Sequence, residues 1–167
     1  AFGRACGVAR WAWNWGLTRK IEAWKLRSAA IDAGVAKAEA PKVPTAIDLH
    51  CELNLLKKLA PENGGVPWMY EVSKCAPQEA LRDLDEAFTH FFRRLKAGET
   101  PGFPRFKVKG RNPGHFRLTG TIKVRDGRIV SPGKFEGEAR YVPAFYGYIL
   151  DGQGADIDDV TTSVEIT

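Results

Sequence analysis

Phe2, Cys6, Ala9, Trp13, Leu17, Ile21 and Trp24 recur at steps of three and four residues. That period predicts one helix over residues 1 to about 27 with a single apolar face. Trp11 and Trp15 lie beside the face and widen it, while Arg4, Arg19, Lys20, Lys25 and Arg27 fall mostly off it. Most of these Trp residues read as core, with one or two available to stack on a base. Residues 28–44 are rich in Ala and Gly and end in Pro41 and Pro44, the pattern of a weak helix or loop. Thr45 then reads as an N-cap, with Asp48 in a capping-box position. The helix it opens turns Leu49, Leu53, Leu56 and Leu59 inward and ends near Pro61. Glu62-Asn-Gly-Gly65 is a loop, and Val66-Pro-Trp-Met69 leads back to the core. Ser73 is the expected cap of a third helix running to about residue 97, where Gly98 stops it. Its inward stripe is Leu81, Leu84, Phe88, Phe91 and Leu95, with Arg82, Asp83, Asp85, Glu86 and Arg93 largely outside. Lys74, Gln78 and Arg82, four apart, line one exposed face near its start.

After Gly98 the period changes. A Pro/Gly-rich basic segment is extended or looped. Phe116-Arg-Leu-Thr119 and Ile122-Lys-Val-Arg125 read as strand pieces, and Asp126-Gly127 is a hairpin signal returning through Arg128-Ile-Val130. Residues 141–150 suit a further strand, and 160–167 alternate well enough for a last one. No internal repeat is visible. The expected class is α+β: a helical part over 1–97, then a basic linker and β part over 98–167.

Charge sharpens the picture. Residues 93–134 hold twelve Lys/Arg against two acids, a net of +10. Residues 1–134 together carry +11, whereas 135–167 carry −6, so the total of +5 hides a basic body and an acidic tail. A core cannot absorb so much unmatched positive charge. A polyanion is the natural partner, nucleic acid the commonest one. In Pro101-Gly-Phe-Pro-Arg-Phe-Lys-Val-Lys-Gly-Arg111 aromatic and cationic residues interleave, which adds ring faces for bases.

Other chemistry is thinner. Cys6, Cys51 and Cys75 are far apart and form no C-x-x-C pair, so they read as free thiols in a reducing compartment. His50, His90 and His115 share no metal-ligand spacing. No apolar run approaches the roughly 20 residues that span a membrane. The chain opens without Met inside a helix-like pattern, as a fragment would.

The motifs in order resemble a known family. Gly3-Arg-Ala-Cys-Gly-Val-Ala-Arg-Trp-Ala-Trp-Asn14 resembles the R-x-x-x-N opening helix of transposon-encoded TnpB (OrfB) proteins, RNA-guided DNA nucleases related to the compact type V CRISPR effectors. Glu52-Leu-Asn-Leu-Leu-Lys57 is similar to the family's E-L-T-x-L-K, and Trp68-Met-Tyr-Glu-Val72 to its W-L-x-E-V. Gln78-Glu-Ala-Leu-Arg-Asp-Leu-Asp-Glu-Ala-Phe88 matches Q-x-A-L-x-D-L-x-x-A-F, with Phe91-Phe92 as the paired Phe that follows. Gly102-Phe-Pro-Arg-Phe-Lys107 matches G-x-P-R-F-K, and Phe116-Arg-Leu-Thr119 matches S-F-R-x-T. The resemblance runs from residue 1 to about 132.

It implies a helical recognition lobe joined to an OB-like wedge β-barrel, whose first strand would precede this chain. Its partners would be guide RNA, double-stranded target DNA and the remaining nuclease domains, in a prokaryotic cytoplasm and away from membranes. Base pairing would supply most sequence choice, while the protein holds the heteroduplex and reads a short flanking motif. By similarity Lys74 and Gln78 match motif-reading positions, and Thr119 and Gly120 a second contact region. Gln bonds adenine bidentately, and Lys donates to guanine or thymine acceptors. Gly120 stands where the family often has Asn, leaving only backbone contact. Cys75 and Pro77 also depart from the family, which often has a bulky residue and a helix former there. Arg93, Arg94, Arg105, Lys107, Lys109, Arg111 and Arg117 are candidates for phosphate contact. Phe103 and Phe106 either stack on a base or pack between helix and barrel.

No catalytic residue is expected here. The family's RuvC-like domain holds Mg²⁺ on three carboxylates beyond the wedge domain, and neither its I-D-x-G strand nor the C-x-x-C zinc ribbon is in this chain. Asp151, Asp156, Asp158 and Asp159 sit in a Gly-rich polar run without apolar strands to fix them. Three other readings stay open: a stand-alone helix-turn-helix-like DNA-binding module without RNA, a metal-dependent nuclease using the acidic tail, and an RNA-binding structural protein.

Overall fold

A computed structural model describes residues 2–112, 114–119, 121–125, 128–130, 160–161 and 164–166. Helix α1 spans Phe2–Asp32, five residues past the expected end. The extension follows from Ser28-Ala-Ala-Ile-Asp32, which holds two Ala and no breaker. Two residues past its end stands Gly34, whose φ of +93° favours glycine and turns the chain away. The Arg27 guanidinium then gathers the following loop, donating to the carbonyls of Lys37, Ala40 and Pro41 at 2.8–3.1 Å.

Helix α2 covers Ala46–Leu56 and carries the expected capping box: Thr45 Oγ1 accepts from Asp48 N, and Asp48 Oδ2 accepts from Thr45 N at 2.9 Å. It ends short of Pro61. Leu49 and Leu53 are buried, Leu56 is half-buried, and Leu59 has left the helix and is exposed. Helix α3 spans Cys75–Lys96. Ser73 is not its cap: Lys74 stands at that position, and Ser73 Oγ only accepts a long bond from Cys75 N at 3.4 Å. Pro77 falls in the first turn, where its missing N–H breaks no helical bond. At the other end Gly98, with φ +79°, donates its N–H to Leu95 O.

α1 and α3 lie side by side and run in the same direction. Cys6 and Ala9 cluster with Ala76 and Ala80, Leu17 with Leu84 and Phe88, and Trp24 meets Phe92. A parallel pair needs a long return, and α2 with its following turns supplies it, capping one side of the pair through Leu49, Leu53 and Leu81. Gly16 sits where the three helices converge: a Cβ there would lie 2.7 Å from Leu81 Cδ2 and 3.4 Å from Leu49 Cδ1. Because three elements pack on α1, its buried face is wider than one stripe and includes Ala5, Val8 and Ala12. The tryptophans are less buried than expected. Only Trp13 is buried; Trp11 stacks on Trp15 and meets Trp68 edge-on, all three partly exposed.

Lys20 also departs from expectation. It is buried, with Nζ 2.5 Å from Asp85 Oδ1 and donating to Pro44 O at 2.6 Å. Asp85 Oδ2 in turn accepts from Ala46 N, so one ion pair ties all three helices. An ammonium is tolerated there because its charge and hydrogen bonds are both matched.

The basic segment is pinned along α1. Trp13 Nε1 donates to Arg105 O at 2.9 Å, and the Asn14 amide pairs with both backbone groups of Lys107, at 2.8 and 2.9 Å. Strand β1, Phe116–Leu118, follows. Phe116 is buried among Ala5, Cys6, Ala9, Ala12, Ala76 and Ala80, small residues that leave room for a ring between the helices. Strands β2 (Thr121–Arg125) and β3 (Arg128–Val130) are antiparallel, with Arg125 opposite Arg128, the register of a two-residue hairpin. β4 (Val160–Thr161) pairs with β2, and β5 (Val164–Ile166) with β1, both antiparallel. The last strand expected over 160–167 is thus two short pieces. Among the described residues these strands make a two-stranded and a three-stranded sheet and close no barrel. The strand expected over 141–150, and Asp151, Asp156, Asp158 and Asp159, lie outside the described residues.

Candidate nucleic-acid interface

The first turns of α3 meet the end of β1. Cys75 Sγ donates to Thr119 O at 3.3 Å, and Thr119 Oγ1 donates to Glu79 Oε1 at 3.2 Å. Lys74 and Arg82 are exposed and Gln78 half-buried along the adjoining helix face. Thr119, some forty residues on in sequence, thus touches Cys75 and Glu79, the residues that follow Lys74 and Gln78 on α3. Gly120 lies outside the described residues.

Glu79 is the unexpected member of this corner. It is 2% exposed, and sequence pattern gave no warning because it falls between Gln78 and Ala80 on no polar period. Arg82 Nη1 donates to its Oε1 at 2.7 Å, and Arg117 Nη1 stands 3.8 Å from its Oε2. Arg117 Nη2 lies 2.9 Å from Asp83 Oδ1. Burial raises the Asp83 carboxyl above the ordinary carboxylate range, outweighing the opposite pull of Arg117, Lys107 and His115.

His50 of α2 is half-buried, with no hydrogen-bond partner at Nδ1 among the described residues. Burial first, then Lys57, Arg82 and Lys74, lower its pKa. The Lys57 ammonium is itself buried and pushed down by that burial. An imidazole facing three cations marks a corner of positive potential that a phosphate or base acceptor would relieve.

The seven backbone-contact candidates divide by environment. Arg93, Arg105, Lys109 and Arg111 are exposed and pair with no carboxylate among the described residues. Arg94 is held by Glu99 at 2.5 Å. Lys107 is half-buried, its Nζ 3.9 Å from the centre of the Trp13 ring and 3.3 Å from His115 Nε2. Arg117 is engaged by Asp83 and Glu79, so its charge serves the α3–β1 junction. Of the two Phe candidates, Phe103 packs edge-on against Phe88 and Phe91 with centroids 5.4 Å apart, while Phe106 is 51% exposed. Phe103 thus packs on rings of α3 alone and still keeps 46% of its surface exposed, so both rings remain accessible. Among the described residues no three His, Cys, Asp or Glu side chains converge to hold a metal ion.

Residues 1–28 match the model of the helix-turn-helix domain of IS605 OrfB proteins. Residues 2–28 of that match form part of the unbroken helix α1. The match supports an OrfB-type N-terminal region and, with it, DNA binding. Comparison with curated proteins returns no significant match.

Proposed function

We propose that this chain is the nucleic-acid-recognition segment of an RNA-guided DNA endonuclease, with a helical lobe over 1–97 and a wedge-type β part over 98–167. It grips the guide RNA–target DNA heteroduplex and reads a short flanking motif in duplex DNA. Lys74, Gln78 and Thr119 contact the motif's base edges, and Gly120 is a fourth motif-reading position, carried over from the family resemblance alone. The exposed cations Arg93, Arg105, Lys109 and Arg111 hold phosphates. Cleavage belongs to a RuvC-type domain elsewhere in the parent protein, where Mg²⁺ supplies the activating charge, and this segment uses no metal-dependent step.

The observation that carries this reading is the junction of α3 with β1. It puts Thr119 within hydrogen-bonding distance of the helix that bears Lys74 and Gln78, in a chain whose exposed Arg93, Arg105, Lys109 and Arg111 have no carboxylate partner among the described residues. The OrfB-type match over residues 1–28 favours a second reading, a stand-alone helix-turn-helix module of a transposase. Against it weighs α1 itself: over the matched residues 2–28 it is one unbroken helix, without the ~3–4-residue turn between two helices that the motif needs.

Purification and binding separate the two. RNA is expected to co-purify with the chain. Binding to a randomised duplex library should select a motif when RNA is retained, and Lys74→Ala with Gln78→Ala should erase the selection while RNA retention stays intact. Equal motif-specific binding after RNA removal would establish the second reading. An unchanged motif in the double variant would remove both residues from the role.

A further inference from the structure

Arg82 lies two turns beyond Lys74 and one beyond Gln78 on the same face of α3. The three residues span about 12 Å of helix, the rise of roughly three to four base pairs. Arg82 keeps 56% of its side chain exposed, yet one nitrogen is fixed 2.7 Å from a carboxylate that is 3% exposed. That carboxylate cannot drift, because Thr119 bonds the same oxygen and Arg117 flanks the other. A cation serving only to neutralise Glu79 would be drawn inward with it. Here the guanidinium spends Nη1 on Glu79 and leaves Nε and Nη2 without a hydrogen bond among the described residues. A planar fork held at one corner is preorganised for a two-point contact. Because its charge is already shared with Glu79, it is a weaker phosphate ligand than Lys109 or Arg111, but its directional donors are intact.

We propose that Arg82 is a further base-reading residue of this face, donating to O6 and N7 of a guanine in the major groove, and that Glu79 is the positioning residue that aims it. The inference rests on the motif-reading role of α3 proposed above. It adds a guanine position to the motif and assigns a purpose to a buried acid that sequence pattern passes over.

The test is selection from a randomised duplex library by the full chain with its co-purified RNA, in wild type, Arg82→Lys, Glu79→Gln and the Lys74→Ala/Gln78→Ala pair. Lys keeps the charge beside Glu79 and loses the fork. Arg82→Lys should flatten guanine preference at one position by about tenfold and leave the other positions unchanged. Glu79→Gln should weaken the same position by a smaller factor, while the Lys74/Gln78 pair flattens different ones. If either single variant melts well below wild type, Arg82→Gln with Glu79→Gln removes charge and counter-ion together and should give the same single-position loss. Uniform weakening at every position, with the salt slope reduced by about one, would make Arg82 a phosphate contact and overturn the inference. An unaltered motif in the Arg82 and Glu79 variants, with the Lys74/Gln78 pair still flattened, would overturn it alone. If that pair also changed nothing, the motif-reading role of α3 would fall and take this inference with it.

Discussion

His50 shows how the corner between α2 and α3 is tuned. Its ring is half-buried, Nδ1 has no hydrogen-bond partner among the described residues, and the cations Lys57, Arg82 and Lys74 act on it through their charge. Burial is the largest influence and all three charges act with it, so the folded pKa lies below the ordinary value of about 6.5. The unfolded chain therefore binds a proton at a pH where the folded chain does not. Stability from the neutral ring is present above about pH 6.5 and is lost as pH falls through that value toward the folded pKa. Urea midpoints at about pH 7.5 and about pH 5.5 should show a larger acid loss in wild type than in His50→Gln. Equal losses would place the acid sensitivity elsewhere.

At the scale of elements, packing of the helices on one another decides what α1 tolerates. Gly7 and Gly16 both sit inside it, but a Cβ on Gly7 meets nothing within 4 Å, whereas one on Gly16 meets two leucines at 2.7 and 3.0 Å. Helix propensity alone favours Ala at both sites by roughly 0.8–1 kcal/mol. Gly7→Ala should therefore raise the thermal midpoint. Gly16→Ala must shift leucine side chains in a closed core, at a cost of about 1–3 kcal/mol, and should leave the protein no more stable than wild type. Matching gains at both sites would mean that the helices do not approach as closely as described. This difference is invisible in sequence, where both residues are simply glycines in a helical pattern. The helices themselves were legible from periodicity, and the α2 cap from Thr45 and Asp48, because those signals are local. Lys20 and the tryptophans were misread because partners distant in sequence decide their burial: Asp85 draws Lys20 inward, and Trp68 covers Trp11 without burying it. Ser73 was misread because α3 is capped one residue later, at Lys74. From the residues alone only the exposed face of Lys74, Gln78 and Arg82 and the basic run were legible; Thr119 entered through the family resemblance. Glu79, which ties Arg82 to Thr119 and Arg117, was not legible, since a buried Glu looks like any surface Glu until the strand that covers it is known.

For the whole molecule, the basic surplus has two uses, and salt separates them. Positive side chains can hold the protein together or wait for a polyanion. Arg117 does the first, bridging Asp83 and Glu79 where β1 crosses α3. Lys109 and Arg111 stand exposed with no carboxylate partner among the described residues, on a segment anchored upstream by Trp13 and Asn14. Anchoring matters, because cations on a fixed backbone can meet phosphates without the entropy cost of ordering a loop on binding. Each phosphate neutralised releases counterions, contributing about 0.9 to the slope of log affinity against log salt on duplex DNA. Lys109→Ala with Arg111→Ala should therefore lower that slope by about 1.8, weaken all sequences alike and leave the melting temperature near wild type. Arg117→Ala should do the reverse: it strands a carboxylate already destabilised by burial, so the melting temperature falls while the slope of the folded protein changes little. A double variant with an unaltered slope would show that the exposed cations are solvated surface, and the polyanion would have to be sought on another face of the bundle.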